Sequence, residues 1–141
     1  MRYSKTVKRL VLALIPMLLL AAAAEFPLIQ PKDLAAQLQT KPPAIYHVGF
    51  NVLYRSKHIP GSIYAGPTAK PEGLAALRAA VEKLPRSQEI VVYCGCCPWD
   101  HCPNIKPAME MLRQMGFTKA RALYVPVNFK ADWIDHGYPA E

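Results

Sequence analysis

Along the chain, hydrophobic positions change period several times. Residues 10–20 are apolar except for Pro16, without the polar alternation of a folded surface element. Residues 26–30 then suit a short edge strand. Pro31-Lys32-Asp33 opens a helix, since proline fits a first turn and Leu34 and Leu38 repeat at helical spacing; Lys41-Pro42-Pro43 ends it. Residues 44–48 read as a buried strand closed by Gly49, 51–56 as a helical turn, and 58–64 as a turn leading into a short strand. Residues 71–84 form a helical pattern with Leu74, Leu77, Ala80, Val81 and Leu84 on one side. The run 90–93 is a strand. Residues 105–115 are a helix facing inward through Met109, Leu112 and Met115 and ended by Gly116. A strand at 122–125 and a short helix at 129–136 carrying Trp133 complete the chain. Strands alternating with helices predict an α/β domain, a mainly parallel sheet with helices on both faces.

The apolar opening changes how the charge is read. Arg2, Lys5, Lys8 and Arg9 precede it, and Ala21 to Ala24 follow it, just before Glu25. Basic region, apolar run and small residues in that order make a secretory signal peptide over residues 1–24, with cleavage near Ala24. The run falls short of the ~20 residues of a spanning helix. A membrane association is expected only if the segment is retained. The expected location is periplasmic or secreted. The whole chain has formal charge +7 with 17 basic and 10 acidic residues, but the leader holds four of the basic ones, so residues 25–141 carry +3. That balance argues against a nucleic-acid partner, which needs a basic stripe or patch. Residues 25–141 suit one compact domain.

All four cysteines, Cys94, Cys96, Cys97 and Cys102, fall in the segment from Glu89 to Asn104, between the strand at 90–93 and the helix from 105. In such a sheet, ligands bind beyond the carboxyl ends of strands, where Cys94 stands. The dipole of the following helix favours a thiolate, so Cys94 is expected to be the nucleophile, with the lowest thiol pKa of the four. Loop N–H groups, Gly95 and Cys96 among them, would cradle an anion or a persulfide sulfur. Cys97 completes a CxxC pair with Cys94, and Cys102 is a further resolving thiol. Adjacent Cys96 and Cys97 are too close for an unstrained disulfide, leaving Cys94–Cys97, Cys94–Cys102 or Cys97–Cys102 when oxidised. Trp99 shields the sulfur or packs the loop down. His101 is an acid, base or ligand candidate, or a solvated histidine. Lys106 is placed to attract an anionic substrate. No organic cofactor or resident metal is called for. Two other chemistries use the same atoms: thiol–disulfide exchange at Cys94 and Cys97, and soft-metal (Zn or Cu) binding by the loop. A loop merely stapled by disulfides is the remaining reading.

Four sets of residues resemble the single-domain rhodanese family of sulfurtransferases. His58-Ile59-Pro60-Gly61-Ser62-Ile63 matches its HIPGA-type turn, and Ile90-Val91-Val92-Tyr93-Cys94 the strand delivering its catalytic cysteine. Leu112 with Gly116-Phe117 matches the end of the next helix, and Trp133, Gly137 and Pro139 the closing signature. The resemblance implies a five-stranded, mainly parallel sheet. It also implies that Cys94 takes sulfane sulfur from a donor as a persulfide and passes it to a thiol acceptor, possibly a protein. Departures are specific. His47-Val48-Gly49 stands where the family has Asp-Val-Arg, and Val125-Pro126-Val127-Asn128 where a Gly-Gly turn is usual. The cysteine loop is about five residues longer than usual and lacks arginine, the usual partner of a thiosulfate sulfonate. Without Cys-x5-Arg, phosphatase activity is excluded.

Overall fold

The structure is a computed structural model that describes residues 25–141; the leader assigned to residues 1–24 lies outside the described residues. Five strands form one sheet: β1 (Leu28–Ile29), β2 (Ala44–His47), β3 (Ile63–Tyr64), β4 (Ile90–Tyr93) and β5 (Ala120–Leu123). They lie in the order β1-β5-β4-β2-β3, and every pairing is parallel. The helices α1 (Pro31–Leu38), α2 (Asn51–Ser56), α3 (Pro71–Val81) and α4 (Ile105–Gln114) alternate with the strands, followed by a π-type turn at Lys130–Ile134.

Central β4 is buried at all four positions, as its uninterrupted aliphatic run demands. Its side chains alternate between two cores. Ile90, Val92 and Cys94 join Leu77, Val81, Met109 and Leu112 of α3 and α4. Val91 and Tyr93 join Leu34 of α1 with Ile59, Phe129 and Trp133 on the other face. Helices therefore cover both faces, as expected.

The differences from the sequence reading are local. β5 begins at Ala120, two residues early, because Arg121 tolerates the strand by reaching Gln37 Oε1 at 3.3 Å. α3 stops at Val81, and a turn with Leu84 N–H on the Val81 carbonyl replaces its last residues. Ala80 is exposed, and Gly73 takes the inward place, where an added Cβ would lie 2.0 Å from the Pro67 carbonyl oxygen. The expected helix at 129–136 is the shorter π-type turn, with Asp135 N–H on the Lys130 carbonyl.

The turn at residues 58–63 fixes the end of β4. Ile59 N–H donates to the Tyr93 hydroxyl at 3.1 Å, and Ser62 Oγ lies 3.1 Å from the same oxygen. Gly61 turns the chain at φ 77°, a backbone favouring glycine. The residue before Cys94 is thus locked by a segment thirty residues away in sequence. At the C-terminus, Trp133 Nε1 donates to the Pro139 carbonyl at 2.8 Å and closes the second core.

Candidate active site

Cys94 follows β4 directly and is buried, with 3% of its surface exposed. Residues 95–104 then cross the carboxyl edge of the sheet to reach α4, with one 3-10 turn at Trp99–His101. Two bonds pin this loop to the segment after β5. Phe129 N–H donates to the Gly95 carbonyl at 3.1 Å, and Trp99 N–H to the Pro126 carbonyl at 3.2 Å. Gly95 has φ 74°, and a Cβ there would stand 2.5 Å from Phe129 Cβ, so both conformation and contact require glycine.

The loop folds three sulfurs together. The Sγ atoms of Cys94, Cys96 and Cys102 lie within 4.8 Å of one another. Cys96 sits 3.1 Å from Cys94 and 3.0 Å from Cys97, sulfur to sulfur. Cys97 stands outside the trio and points its thiol at the His101 carbonyl, 3.6 Å away. All four are free thiols. Cys96, not Cys97, is the neighbour of Cys94 within the CxxC stretch. The trio is the one thiol group among the described residues that could hold a soft ion; Zn–S bonds of ~2.3 Å fit such a cluster.

Charge in the cluster is distributed otherwise than the sequence suggests. The Cys102 sulfur, within 4.8 Å, together with burial pushes the Cys94 pKa up. Cys102 is lowered to about 6: it accepts from Cys94 and, against its own burial, from the backbone N–H groups of Asn104 and Ile105. Burial, with the contact to Cys96, pushes Cys97 up to about 12. The backbone at the start of α4 thus lowers Cys102 while Cys94 shifts upward, against the expectation that Cys94 has the lowest pKa. The helix follows Cys102 by two residues, and the strand leaves Cys94 in the core.

Two residues that the sequence reading left out hold Cys94 directly. Asn104, fully buried, donates from Nδ2 to Cys94 Sγ at 3.3 Å. Its orientation is forced, because Oδ1 accepts from Ala69 N–H at 2.9 Å and its carbonyl from Thr68 Oγ1 at 2.6 Å. Its only sequence signal is its place just before a helix. His47, 2% exposed, occupies the departure from the Asp-Val-Arg pattern. Gly49 N–H donates to its Nδ1 at 3.3 Å, so its proton sits on Nε2, and the Cys94 carbonyl is its nearby backbone acceptor. Burial and nearby His58 lower its pKa to about 4, against the raising effect of that bond, which keeps the ring neutral. Tyr93 packs edge-on against it at 4.8 Å. At Gly49, a Cβ would stand 2.8 Å from Cys94 Sγ; the missing side chain leaves room for the thiol.

The other expected residues divide. Trp99 packs edge-on against Tyr124 at 5.4 Å and lines a surface cleft together with Cys102 and Lys106. The Lys106 ammonium is 3.2 Å from Glu25. His101 is exposed and meets the thiols through its carbonyl. Cys94, Gly95 and Cys96 line a different cleft, with His47, Lys57 and Phe129.

Comparison with known proteins gives one family. Residues 30–124 match the rhodanese-like domain. The fold is similar to the rhodanese-like domain of a protein from Anabaena sp., with TM-score 0.61 and 23% identity over 82% of this chain and 78% of that one. A protein from Bacillus halodurans gives TM-score 0.62 and 19% identity over 82% and 76%. A single-domain sulfurtransferase from Saccharomyces cerevisiae gives 0.59 and 15% over 82% and 94%. These likenesses carry the fold. No protein of curated function matches the chain.

Proposed function

The chain belongs to the rhodanese-like domain family, and from that premise we propose that it is an exported sulfur carrier or sulfurtransferase that holds a persulfide on Cys94. The carrying observation is the placement of that sulfur. It sits at the carboxyl end of the central strand, at the wall of a cleft of about 400 Å³, with a locked asparagine amide 3.3 Å away. A donor amide at that distance stabilises the negative charge that develops on sulfur during attack and departure.

The thiol pair handles the proton. Cys102, as thiolate, accepts the proton of Cys94 while Cys94 attacks the sulfane atom of a donor. The donor keeps the electron pair of the broken bond and leaves. The acceptor is a thiol, in a small molecule or a protein. The cleft offers Lys57 and Lys130 but no arginine fork for a sulfonate, so polysulfide or a protein persulfide is the preferred donor over thiosulfate. Export rests on the leader at residues 1–24: N-terminal sequencing of protein from the native host should begin near Glu25, and intact Met1 on a soluble cytoplasmic protein would refute it.

The test is intact mass after exposure to polysulfide and removal of excess. Wild type should gain one reducible sulfur atom, and Cys94→Ser should gain none. Equal gain by both would end the assignment. A second reading rests on the clustering of the Cys94, Cys96 and Cys102 sulfurs. A zinc or copper adduct in native mass spectrometry, with no sulfur uptake by the metal-free protein, would select soft-metal binding instead.

A further inference from the structure

Two separate clefts open onto the thiol cluster. The first, about 400 Å³, has Cys94 and Cys96 in its wall beside His47, Lys57 and Phe129. The second, about 410 Å³, has Cys102 in its wall beside Phe26, Trp99, Asp100 and Lys106. They share no lining residue. Between them lies a void of about 10 Å³ bordered by Cys94, Cys97, Trp99 and Cys102, about one water-sized sphere.

The clefts also differ in charge. The first contains Lys57 and Lys130 and no carboxylate; Lys130 is paired with Asp135 at 2.7 Å. The second contains Glu25, Asp100 and Lys106, of which Glu25 and Lys106 pair at 3.2 Å. Among the described residues no ion pair involves Lys57 or Asp100. An anionic sulfur donor is therefore attracted to the first cleft and repelled from the second.

Resting on the sulfur-carrier reading above, we infer that sulfur enters through the first cleft onto Cys94, crosses to Cys102, and leaves through the second cleft to a neutral or cationic thiol. Each step balances. Loading converts the Cys94 thiol and the donor's sulfane sulfur into a Cys94 persulfide and the desulfurated donor, with Cys102 relaying the proton to the transferred sulfur. The Cys102 thiolate then attacks the outer sulfur. The bond from Cys94 Sγ to that sulfur breaks, its electron pair returns to Cys94, and a Cys102 persulfide forms with no net oxidation. The Cys94 thiolate takes the acceptor's proton, and the acceptor thiolate attacks the outer sulfur on Cys102. This restores the Cys94 thiol and the Cys102 thiolate. Attack on the inner sulfur would instead give a disulfide and release sulfide.

The experiment loads the full domain with polysulfide and follows delivery to cysteamine and to 3-mercaptopropionate. Cys102→Ser should still take up one sulfur, but delivery to cysteamine should slow about tenfold or more. Wild type should prefer cysteamine, and Asp100→Asn should shrink that preference without changing the KM for polysulfide. Lys57→Gln should raise that KM and leave the preference intact. Delivery by Cys102→Ser at the wild-type rate would overturn the relay while leaving the carrier intact. So would sulfide release with loss of two hydrogens on loading, or an effect of Asp100→Asn on the donor alone. Failure of wild type to load any sulfur would instead overturn the carrier reading itself.

Discussion

The end of β4 and the start of α4 each present a cysteine to the same cluster, and the pKa values of the two sulfurs are pushed in opposite directions. Cys94 has a strand behind it that is buried at every position, and its thiol keeps its proton. Cys102 is partly exposed, accepts from two backbone N–H groups at the helix start, and is lowered to about 6. The side chains are identical, so the difference comes from the donors in reach. A strand end supplies fixed position and a helix start supplies charge. In this loop the two are placed on different atoms whose sulfurs lie within 4.8 Å of each other. On the sulfur-carrier reading proposed above, the rigidly held Cys94 is the nucleophile and the neighbouring Cys102 sulfur its base.

The strongest way to break this comparison is to remove the positioned sulfur. Cys94→Ser should lower sulfur transfer by about a thousandfold, roughly 4 kcal/mol of transition-state stabilisation. The measurement is polysulfide-to-thiol transfer at neutral pH. Retention of full transfer would mean that the charged sulfur alone does the chemistry.

The next effect tests the rigidity of the strand end. His47 is buried neutral, with its folded-state pKa at about 4 against an ordinary 6.5. A depressed value favours the neutral ring in the native state. Its contribution is therefore complete above 6.5 and is lost as pH falls through 6.5 toward about 4, where the unfolded chain binds the extra proton. Full expression of that shift would amount to about 3 kcal/mol. Urea unfolding at a series of pH values should show this loss in wild type, and His47→Gln should flatten the slope over that interval. An unchanged slope would show that the ring is protonated in the native state.

Asn104→Ala removes the amide from Cys94 and leaves Ala69 N–H without its acceptor. Losing the partner of this part-buried bond costs about 1 kcal/mol. Thermal unfolding should report that loss, and persulfide loading should slow beyond what stability explains. A stable variant with normal loading would remove the amide from the mechanism.

How much of this was legible in the sequence depended on the range of the forces involved. β4 was readable to the residue because four consecutive aliphatic or aromatic positions are all buried. Its last residue then fixed where Cys94 stands. α4 was readable from its periodicity and from Gly116 beyond its end, where φ is 89°. β5 was misplaced by two residues because Arg121 looks like a strand breaker until Gln37 is brought beside it. The arrangement inside the loop was not readable, since contacts from distant segments determine it: Ala69 orients Asn104, and Phe129 holds Gly95. His47 and Gly49 were visible only as departures from a pattern. Their role appears once β2 lies beside β4 with His47 opposite Tyr93. The state of each thiol depended on which sulfur the helix start reaches, and spacing alone assigned that to Cys94.

The finest test concerns that last assignment. In wild type at neutral pH, limited iodoacetamide should label Cys102 first. Its reactivity should fall as pH drops through about 6, because the lowered pKa keeps it a thiolate above that value. Cys94 should label slowly until alkaline pH, since its proton is held by the bond to Cys102 and by burial. Cys102→Ser replaces an anionic acceptor with a neutral hydroxyl, so the cost of ionising Cys94 beside a like charge disappears. The Cys94 pKa should then come down, and its alkylation at neutral pH should rise about tenfold, a change of roughly 1.4 kcal/mol. Peptide mapping across pH 5 to 9, a range chosen to bracket the value of about 6, reads both changes. If Cys94 is the fastest thiol of the wild type and the step near 6 survives Cys102→Ser, charge and position reside on the same sulfur after all. The helix start would then serve the strand end directly, as spacing alone suggests.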